Sequence, residues 1–250
     1  MLHAWLVGVA GIAGASGGRL KLVLFDVDGT LTLGEGLGTR CFFGAFTSTF
    51  GIRPHSENLS SFRESTDSGI ATEVFERALG RAPRVSEVAA LRAGYLHALH
   101  EILKSRPGCY RPVSGAREAL DGALEEAGWT VALATGNWSG AASAKLASAA
   151  IREPRLGGFA DDAHTRVGIL TAAISACGAD RDSKVVYVGD RPWDATAAAE
   201  AGIGFVGVGE CMANGQDART SGASVLADLA DFSRLLGALE EQAKTVGRFT

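Results

Sequence analysis

The sequence predicts an α/β protein, a doubly wound parallel sheet with a small helical domain inserted near its N-terminal end. Three short runs support this, at residues 22–25, 131–134 and 185–189. Each run is continuously apolar, which is the pattern of a parallel strand covered on both faces. Helix-compatible stretches lie between them, and such alternation is typical of a doubly wound sheet. The 250 residues suffice for a core domain plus a smaller one.

The remaining elements follow in order along the chain. Ser114 suits the N-cap of a helix that Gly128 would end. Weaker apolar runs predict two more strands, at 203–208 and 224–226. Further helices are expected at residues 140–150, 168–176, 195–201 and 229–246.

The section from residue 34 to residue 112 does not follow this alternation of strands and helices. It contains no convincing strand, and its apolar residues recur at helical spacing, which predicts a helical bundle. They include Phe42, Phe43, Phe46 and Phe50. Glycines at 34–38 and a Pro-Gly turn within 106–108 would supply two hinges. The predicted division is an N-terminal extension over 1–18, an α/β core over 19–33 and 113–250, and a helical cap over 34–112.

Composition excludes several classes of function. The net charge is −4 and no basic stripe is present, so nucleic acid is not an expected partner. The four cysteines form no CxxC pair, which favours reduced thiols in a cytoplasmic protein without a zinc site. The apolar part of residues 1–18 is too short to span a bilayer and lacks a basic start, so no membrane association is expected. The oligomeric state stays open.

Polar residues stand where the predicted strands end. Asp26, Thr135 and Asp190 each follow one of the three apolar runs. Ligands bind beyond the carboxyl ends of strands in such sheets. With Asp28 and Asp194, these positions gather four carboxylates, which repel one another unless a divalent cation lies between them. Oxygen ligands of this kind favour Mg²⁺, and a carboxylate beside it can serve as a nucleophile in phosphoryl transfer.

Three segments resemble motifs of the haloacid dehalogenase (HAD) superfamily. They are DVDGT at 26–30, ATGN at 134–137 and GDRPWD at 189–194, in the order found in that superfamily and each after a strand. The helical section after the first motif resembles the small helical cap of the same superfamily. The resemblance covers about residues 19–32 and 113–230 and implies a HAD-like Rossmannoid core.

The resemblance implies a role for each matching residue. Asp26 would attack phosphorus and form an aspartyl-phosphate. Asp28 would protonate the leaving oxygen and then take a proton from the attacking water. Thr135 would hold a phosphoryl oxygen through its hydroxyl, together with the backbone amides of Gly136 and Asn137.

The resemblance also implies a Mg²⁺ site. Its expected ligands are Asp26, Asp28 through its backbone carbonyl, Asp190 and Asp194. Asp194 has an equally good structural interpretation as a first-turn acid of the following helix, where a negative charge favours the helix dipole.

One expected residue of the superfamily is replaced. A lysine usually stands upstream of the last acidic motif, at the start of a helix, and Arg166 occupies that place here. Arginine keeps the charge and can grip two phosphate oxygens. Lys184 is the rival, although it starts the strand that leads to Asp190 and should lie at the far end of the sheet. Lys145 is expected to be a solvent-facing helix residue.

These features predict a Mg²⁺-dependent phosphatase that hydrolyses a small-molecule phosphomonoester, similar to phosphoglycolate phosphatases. The second acid, Asp28, favours ester hydrolysis over dehalogenation, because an alkoxide leaving group benefits from protonation. Thr66 and Asp67 are candidate specificity residues in the cap. A phosphotransferase or sugar-phosphate mutase of β-phosphoglucomutase type remains an alternative, as does a non-catalytic binding protein on the same fold.

Overall fold

A parallel sheet forms the centre of the molecule, as the apolar runs predicted. The computed structural model describes residues 19–214 and 223–245. Six strands pair in the order β5-β4-β1-β6-β7-β8, and every pair is parallel. These strands are β1 (Lys21–Phe25), β4 (Thr130–Ala134), β5 (Gly157–Gly158), β6 (Lys184–Gly189), β7 (Gly204–Val208) and β8 (Ser224–Leu226).

Helices connect the strands of this sheet. They are α6 (Ser139–Ser148), α7 (Arg166–Ala176), α8 (Pro192–Glu200), α9 (Glu210–Asn214) and α10 (Phe232–Thr245). Four of them fall where the sequence predicts helices, with shifts of one to three residues at their starts. The predicted extension at 1–18 and the final residue of the predicted last helix lie outside the described residues. In the part of the chain that is described, no helix is long and apolar enough to cross a membrane.

The predicted helix between Ser114 and Gly128 is broken in the structure. It consists of α4 (Ala116–Glu118), a π turn at Ala119–Ala123 and α5 (Leu124–Glu126). Gly122 has φ +114°, which interrupts the regular turn. Only a glycine takes such a value without strain, so the break is encoded locally.

A helical segment is inserted between two short strands, here called the hinge strands. The hinge strands β2 (Thr32–Leu33) and β3 (Arg111–Pro112) pair antiparallel and form a sheet of their own. Sequence inspection found no strand within 34–112, because a two-residue strand is too short to show a period. The segment contains α1 (Leu37–Phe50), a 3₁₀ turn at Leu59–Ser61, α2 (Asp67–Leu79) and α3 (Val85–Ser105).

The phenylalanines of α1 form the core of this segment. The rings of Phe43, Phe46 and Tyr95 all meet Phe42 edge-on, with centroids 5.3–5.4 Å away. Such edge-to-face pairs add to the free energy of apolar burial. The aromatic stripe is therefore core packing, as its helical spacing indicated.

The register of the central strands brings the predicted site residues together. Phe25 at the end of β1 lies opposite Leu133 of β4 on one side and Val188 of β6 on the other. The residues that follow these strands therefore share one edge of the sheet. The backbone N–H of Asp26 donates to the carbonyl of Val188 at 3.0 Å, which fixes the start of the first acidic loop.

Candidate active site

Three carboxylates converge at the carboxyl edge of the sheet. Asp26, Asp190 and Asp194 each offer an oxygen within 4.8 Å of the others, and all three side chains are buried. Gly29 lies against them with φ +85°, and a Cβ there would come within 2.2 Å of Asp190 Oδ2. Glycine at this position therefore lets the first acidic loop close over Asp190.

Burial and neighbouring acids raise the pKa values of all three carboxyl groups in this cluster. Burial, together with the charges of Asp26 and Asp194, raises the pKa of Asp190 to about 8. Burial also raises the pKa of Asp194, to about 6, and that of Asp26. Among the described residues, Asp190 Oδ1 is buried without a hydrogen-bond partner. The cluster therefore offers carboxylate oxygens, one of them without a hydrogen-bond partner, and a divalent cation takes ligands of this kind.

Arg166 is the cation that the structure supplies to this cluster. It is the first residue of α7, where the Thr165 hydroxyl caps the helix by accepting from Gly168 N–H at 3.1 Å. Its Nη1 lies 3.4 Å from Asp26 Oδ1 and 3.2 Å from Asp194 Oδ1. Burial lowers the pKa of Arg166, but Asp194, Tyr187 and Asp26 hold this pKa well above its usual value.

The rival basic residue lies elsewhere. Lys184 begins β6 opposite Lys21, the first residue of β1, so it stands at the amino edge of the sheet. Asp26 and Asp190 follow the other ends of these same two strands. The geometry places Arg166, and not Lys184, beside the acids.

Tyr187 belongs to the site, although sequence reasoning did not single it out. Its hydroxyl accepts from Arg166 Nη1 at 3.2 Å and lies 3.1 Å from the Ala134 carbonyl and 3.2 Å from Asp194 Oδ1. It therefore orients both the cation and one of the acids. The available signal was a single hydroxyl within the otherwise apolar run of β6.

Asp28 faces a different set of partners. Its Oδ2 accepts from Asn137 Nδ2 at 2.9 Å and forms an ion pair with Lys145. The same Asn137 Nδ2 donates to Thr135 Oγ1 at 2.9 Å. Hydrogen bonds thus join Thr135, Asn137 and Asp28 side by side.

The expectation that Lys145 faces solvent is wrong. Lys145 is 2% exposed, and its ammonium donates to both Asp28 Oδ2 and Asn137 Oδ1. It lies on the buried face of α6 with Ala141, Ala142 and Leu146. The helical spacing of these apolar residues placed Lys145 on the inner face, and this was the signal that sequence reasoning overlooked.

Gly136 leaves room for Arg166. A Cβ at this position would lie 2.8 Å from Arg166 Nη2 and 2.8 Å from the backbone oxygen of Ser65. The turn after β4 therefore approaches both the basic residue and the loop before α2. This arrangement lines the space next to Asp26 with backbone and with a guanidinium group.

A cavity of about 390 Å³ opens beside the acids, between the sheet edge and the helical segment. Charged and aromatic side chains both line it, and Phe42 and Tyr95 come from the helical segment. The lining includes Asp26, Asp28, Asp190, Lys145, Arg166, Phe42, Tyr95, Tyr110 and Trp193. A volume of this size suits a small molecule.

The start of α2 is hydrogen-bonded directly to the core. Asp67 N–H donates to the Gly136 carbonyl at 2.7 Å, and Asp67 Oδ2 accepts from Trp138 N–H at 2.8 Å. Asp67 also lines the cavity, and burial raises its pKa to about 6. Thr66 caps α2 through Gly69 N–H, and its hydroxyl contacts the His164 carbonyl.

A family comparison agrees with this geometry. The model for haloacid dehalogenase-like hydrolases matches residues 20–202. The chain belongs to this family. The protein is therefore a hydrolytic enzyme, as the sequence predicted. None of the curated proteins matches this chain.

Solved structures show the same fold at low sequence identity. A variant of CbbY from Rhodobacter sphaeroides in complex with xylulose-(1,5)bisphosphate is 19% identical, with a TM-score of 0.66 over 88% of this chain and 99% of that one. A proposed beta-phosphoglucomutase from Bacteroides vulgatus is 21% identical, with a TM-score of 0.64 over 91% of each chain. A predicted phosphoglycolate phosphatase from Haemophilus somnus is 19% identical, with a TM-score of 0.54 over 88% and 99%.

Mg²⁺ is typical of haloacid dehalogenase-like hydrolases, and the acids of this member fit such an ion. The cluster of Asp26, Asp190 and Asp194 supplies only oxygen donors, one of them without a partner among the described residues. Hard oxygen ligands of this kind favour Mg²⁺ over softer metals.

Proposed function

We propose that this hydrolase cleaves a small-molecule phosphomonoester through an aspartyl-phosphate on Asp26. One observation carries the proposal. Two carboxylates with different partners line a single cavity: Asp26 beside the guanidinium of Arg166, and Asp28 beside Asn137 and Lys145. A nucleophile and a separate acid-base group are what ester hydrolysis through a covalent intermediate requires.

The first step transfers the phosphoryl group to the enzyme. A carboxylate oxygen of Asp26 attacks phosphorus, the bond from phosphorus to the ester oxygen breaks, and Asp28 gives its proton to the departing alkoxide. Arg166 and the Thr135 hydroxyl bind the phosphoryl oxygens, together with the backbone amides of Gly136 and Asn137. Donors aimed at developing negative charge lower the barrier to such transfers.

The second step releases the phosphate. Asp28, now ionised, takes a proton from a water molecule, and the resulting oxygen attacks the phosphorus of the aspartyl-phosphate. The bond to the Asp26 oxygen breaks, which frees inorganic phosphate and restores the carboxylate. Because Asp28 faces the cavity, one residue can serve both the leaving group and the water.

The metal would be held by this chain's own oxygens. Asp26, Asp190 and Asp194, with the backbone carbonyl of Asp28, would bind Mg²⁺. When bound, the ion supplies positive charge that offsets the negative charge of the phosphoryl oxygens. Arg166 carries the other positive charge at the same place.

The helical segment would act as a cap over the substrate. Its helices close the cavity on the side opposite the sheet, which limits the size of the ester and keeps bulk water away during transfer. Asp67 lines this cavity, so we propose it as a specificity residue. Thr66 was the second candidate in the cap, but its hydroxyl is engaged with the His164 carbonyl.

The test is phosphate release from a panel of small phosphomonoesters, including phosphoglycolate and an aryl phosphate. We expect turnover with Mg²⁺, none with a chelator, and a loss of at least about 10⁴-fold in Asp26→Asn, because the amide cannot act as the nucleophile. Asp121→Asn, which removes an exposed acid that does not line the cavity, is the control and should retain full activity. Full activity of Asp26→Asn would refute the proposal.

A mutase of β-phosphoglucomutase type is the second candidate. The fold of the Bacteroides vulgatus protein supports it, and the same pair of acids would serve with a sugar hydroxyl in place of water. Hexose 1-phosphate distinguishes the two reactions. Isomerised hexose phosphate would favour the mutase, whereas free phosphate would favour the phosphatase.

A further inference from the structure

Lys145 is a buried cation to which the proposed reaction gives no part. Its side chain is 3% exposed, whereas that of its partner Asp28 is 45% exposed and open to the cavity. Burying an ammonium group is costly unless it is paired and hydrogen-bonded. The ammonium meets this requirement with two acceptors, Asp28 Oδ2 and Asn137 Oδ1.

The ammonium determines which way the Asn137 amide points. An ammonium group only donates hydrogen bonds, so the oxygen of the Asn137 amide must face it. The amide nitrogen is then left to donate to Asp28 Oδ2 and Thr135 Oγ1, each at 2.9 Å. One cation therefore orients the two side chains that it contacts, Asn137 and Asp28.

The surroundings are shaped to hold Lys145 in this place. A Cβ on Gly38 of α1 would lie 2.9 Å from Lys145 Nζ and 2.8 Å from the Tyr110 hydroxyl, so glycine leaves the space that both groups use. Burial lowers the pKa of Lys145, but Asp28, Tyr95 and Tyr110 raise it, and the net pKa lies well above its usual value. The group is therefore charged at neutral pH.

The Asp28 side chain has no other anchor in the described part of the chain. The Asp28 carboxylate contacts Lys145 and Asn137, and Asn137 is itself oriented by Lys145. A carboxylate on the open side of a cavity samples several rotamers unless it is held. Proton transfer to a leaving group requires it within hydrogen-bond reach of that oxygen.

We propose that Lys145 is a positioning residue for Asp28, directly and through Asn137, and that it holds this carboxylate on the side of Asp26 where the leaving group departs. The inference rests on the proposed phosphatase function. It assigns Lys145 to the step in which the ester oxygen needs a proton. Arg166 and Thr135 keep their role in the transfer of the phosphoryl group to Asp26.

The test compares two esters in Lys145→Met. The ratio kcat/KM covers the steps up to release of the leaving group, so it reports the protonation by Asp28 in the first transfer. For an alkyl phosphate, we expect kcat/KM to fall about 100-fold, because the alkoxide needs a proton. For an aryl phosphate with an acidic phenol, we expect less than about a 5-fold loss, because this leaving group departs without one.

Two further variants separate positioning from general damage. Lys145→Arg, which keeps a donor-only cation, should recover most of the activity on the alkyl ester. Lys184→Met removes a lysine at the opposite edge of the sheet and should leave both esters unaffected. Thermal unfolding of each variant shows whether it is folded. If Lys145→Met does not fold, Lys145→Gln, which keeps the length and polarity of the side chain, is measured in its place.

Crystal structures provide a readout that does not need turnover. In the Lys145 variants, the Asp28 carboxylate should leave its position beside Asn137, and the Asn137 amide should reorient. A wild-type enzyme inactive on every ester would contradict the proposed function, while this displacement would still support the positioning role. Equal losses on the two esters, or an Asp28 that stays in place, would overturn the inference.

Discussion

Asp190 shows at the scale of one residue why this site favours a bound cation. Its carboxylate is buried against two other acids, and it forms an ion pair with the half-exposed Arg191 at 2.9 Å. Burial raises its pKa to about 8. A metal-free chain thus keeps a proton there that the unfolded chain would release. The sequence predicted the acids but could not reveal how deeply they are buried.

The stability of the metal-free protein should therefore fall as pH rises. A carboxyl group whose pKa is raised on folding binds protons more tightly in the folded chain, so its contribution is present below about pH 4 and lost towards pH 8. We expect Mg²⁺ at about 100 times its Kd to add about 2.7 kcal/mol, or about 5–10 °C in Tm. At one fixed Mg²⁺ concentration, the shift should be larger at pH 8 than at pH 5, because fewer protons compete for the carboxylates. Thermal unfolding at both values, with chelator and with Mg²⁺, measures it.

Asp190→Asn tests the same argument by mutation. In chelator at pH 8 this variant should be more stable than the wild type, since a source of like-charge repulsion is removed, and Mg²⁺ should no longer raise its Tm. Asp121→Asn is the matched control and should respond to Mg²⁺ like the wild type. A destabilised Asp190→Asn under these conditions would contradict the electrostatic account.

At the scale of the element, the start of α2 connects the helical segment to the core. Asp67 both donates to the Gly136 carbonyl and accepts from Trp138 N–H, while Ser68 Oγ accepts from Trp138 Nε1 at 2.8 Å. These bonds reach across a boundary that the sequence marks only by glycines and a Pro-Gly turn. Sequence reasoning selected Asp67 as a polar loop residue, but its bonding to the core came only from the fold.

Asp67→Ala should loosen this connection. The Trp138 N–H loses its acceptor, so hydrogen exchange at Trp138 should become faster, and KM should rise about 10-fold as the cavity closes less often. Exchange measured by NMR and steady-state kinetics check both effects. Asp67→Asn keeps an acceptor oxygen, so its exchange rate at Trp138 and its KM should lie nearer those of the wild type. Unchanged exchange in Asp67→Ala would mean that this hydrogen bond does not hold the helical segment in place.

At the scale of the whole molecule, the loop before α4 and the segment before α10 meet in a tight contact. Gly115 has φ +81°, and a Cβ there would come within 2.1 Å of the backbone of Leu229. In addition, Leu229 N–H donates to the Ser114 carbonyl at 2.9 Å. The segment before α10 is thus packed on the loop that enters α4, more than a hundred residues earlier.

Gly115→Ala should destabilise the protein by at least about 2 kcal/mol, because both the backbone conformation and the contact with Leu229 are lost. Gly237→Ala is the matched control. This glycine lies inside α10 with open space around it, so alanine should stabilise the helix by about 0.5–1 kcal/mol. Urea unfolding of both variants gives the two free energies. If both substitutions changed the free energy of unfolding equally, the contact with Leu229 would not be what restricts position 115.

The sequence by itself determined the parallel sheet, the helical insertion and the acids after β1 and β6, because apolar runs and strand-end residues are local patterns. Only the tertiary structure decided the environment of Lys145 and the role of Tyr187 in orienting Arg166 and Asp194. Some of their partners, such as Asp28 for Lys145 and Ala134 for Tyr187, lie on elements distant in sequence, and helical spacing indicates a buried face without naming what it meets. Burial and pairing depend on how those elements pack, so these residues became interpretable only in the folded chain.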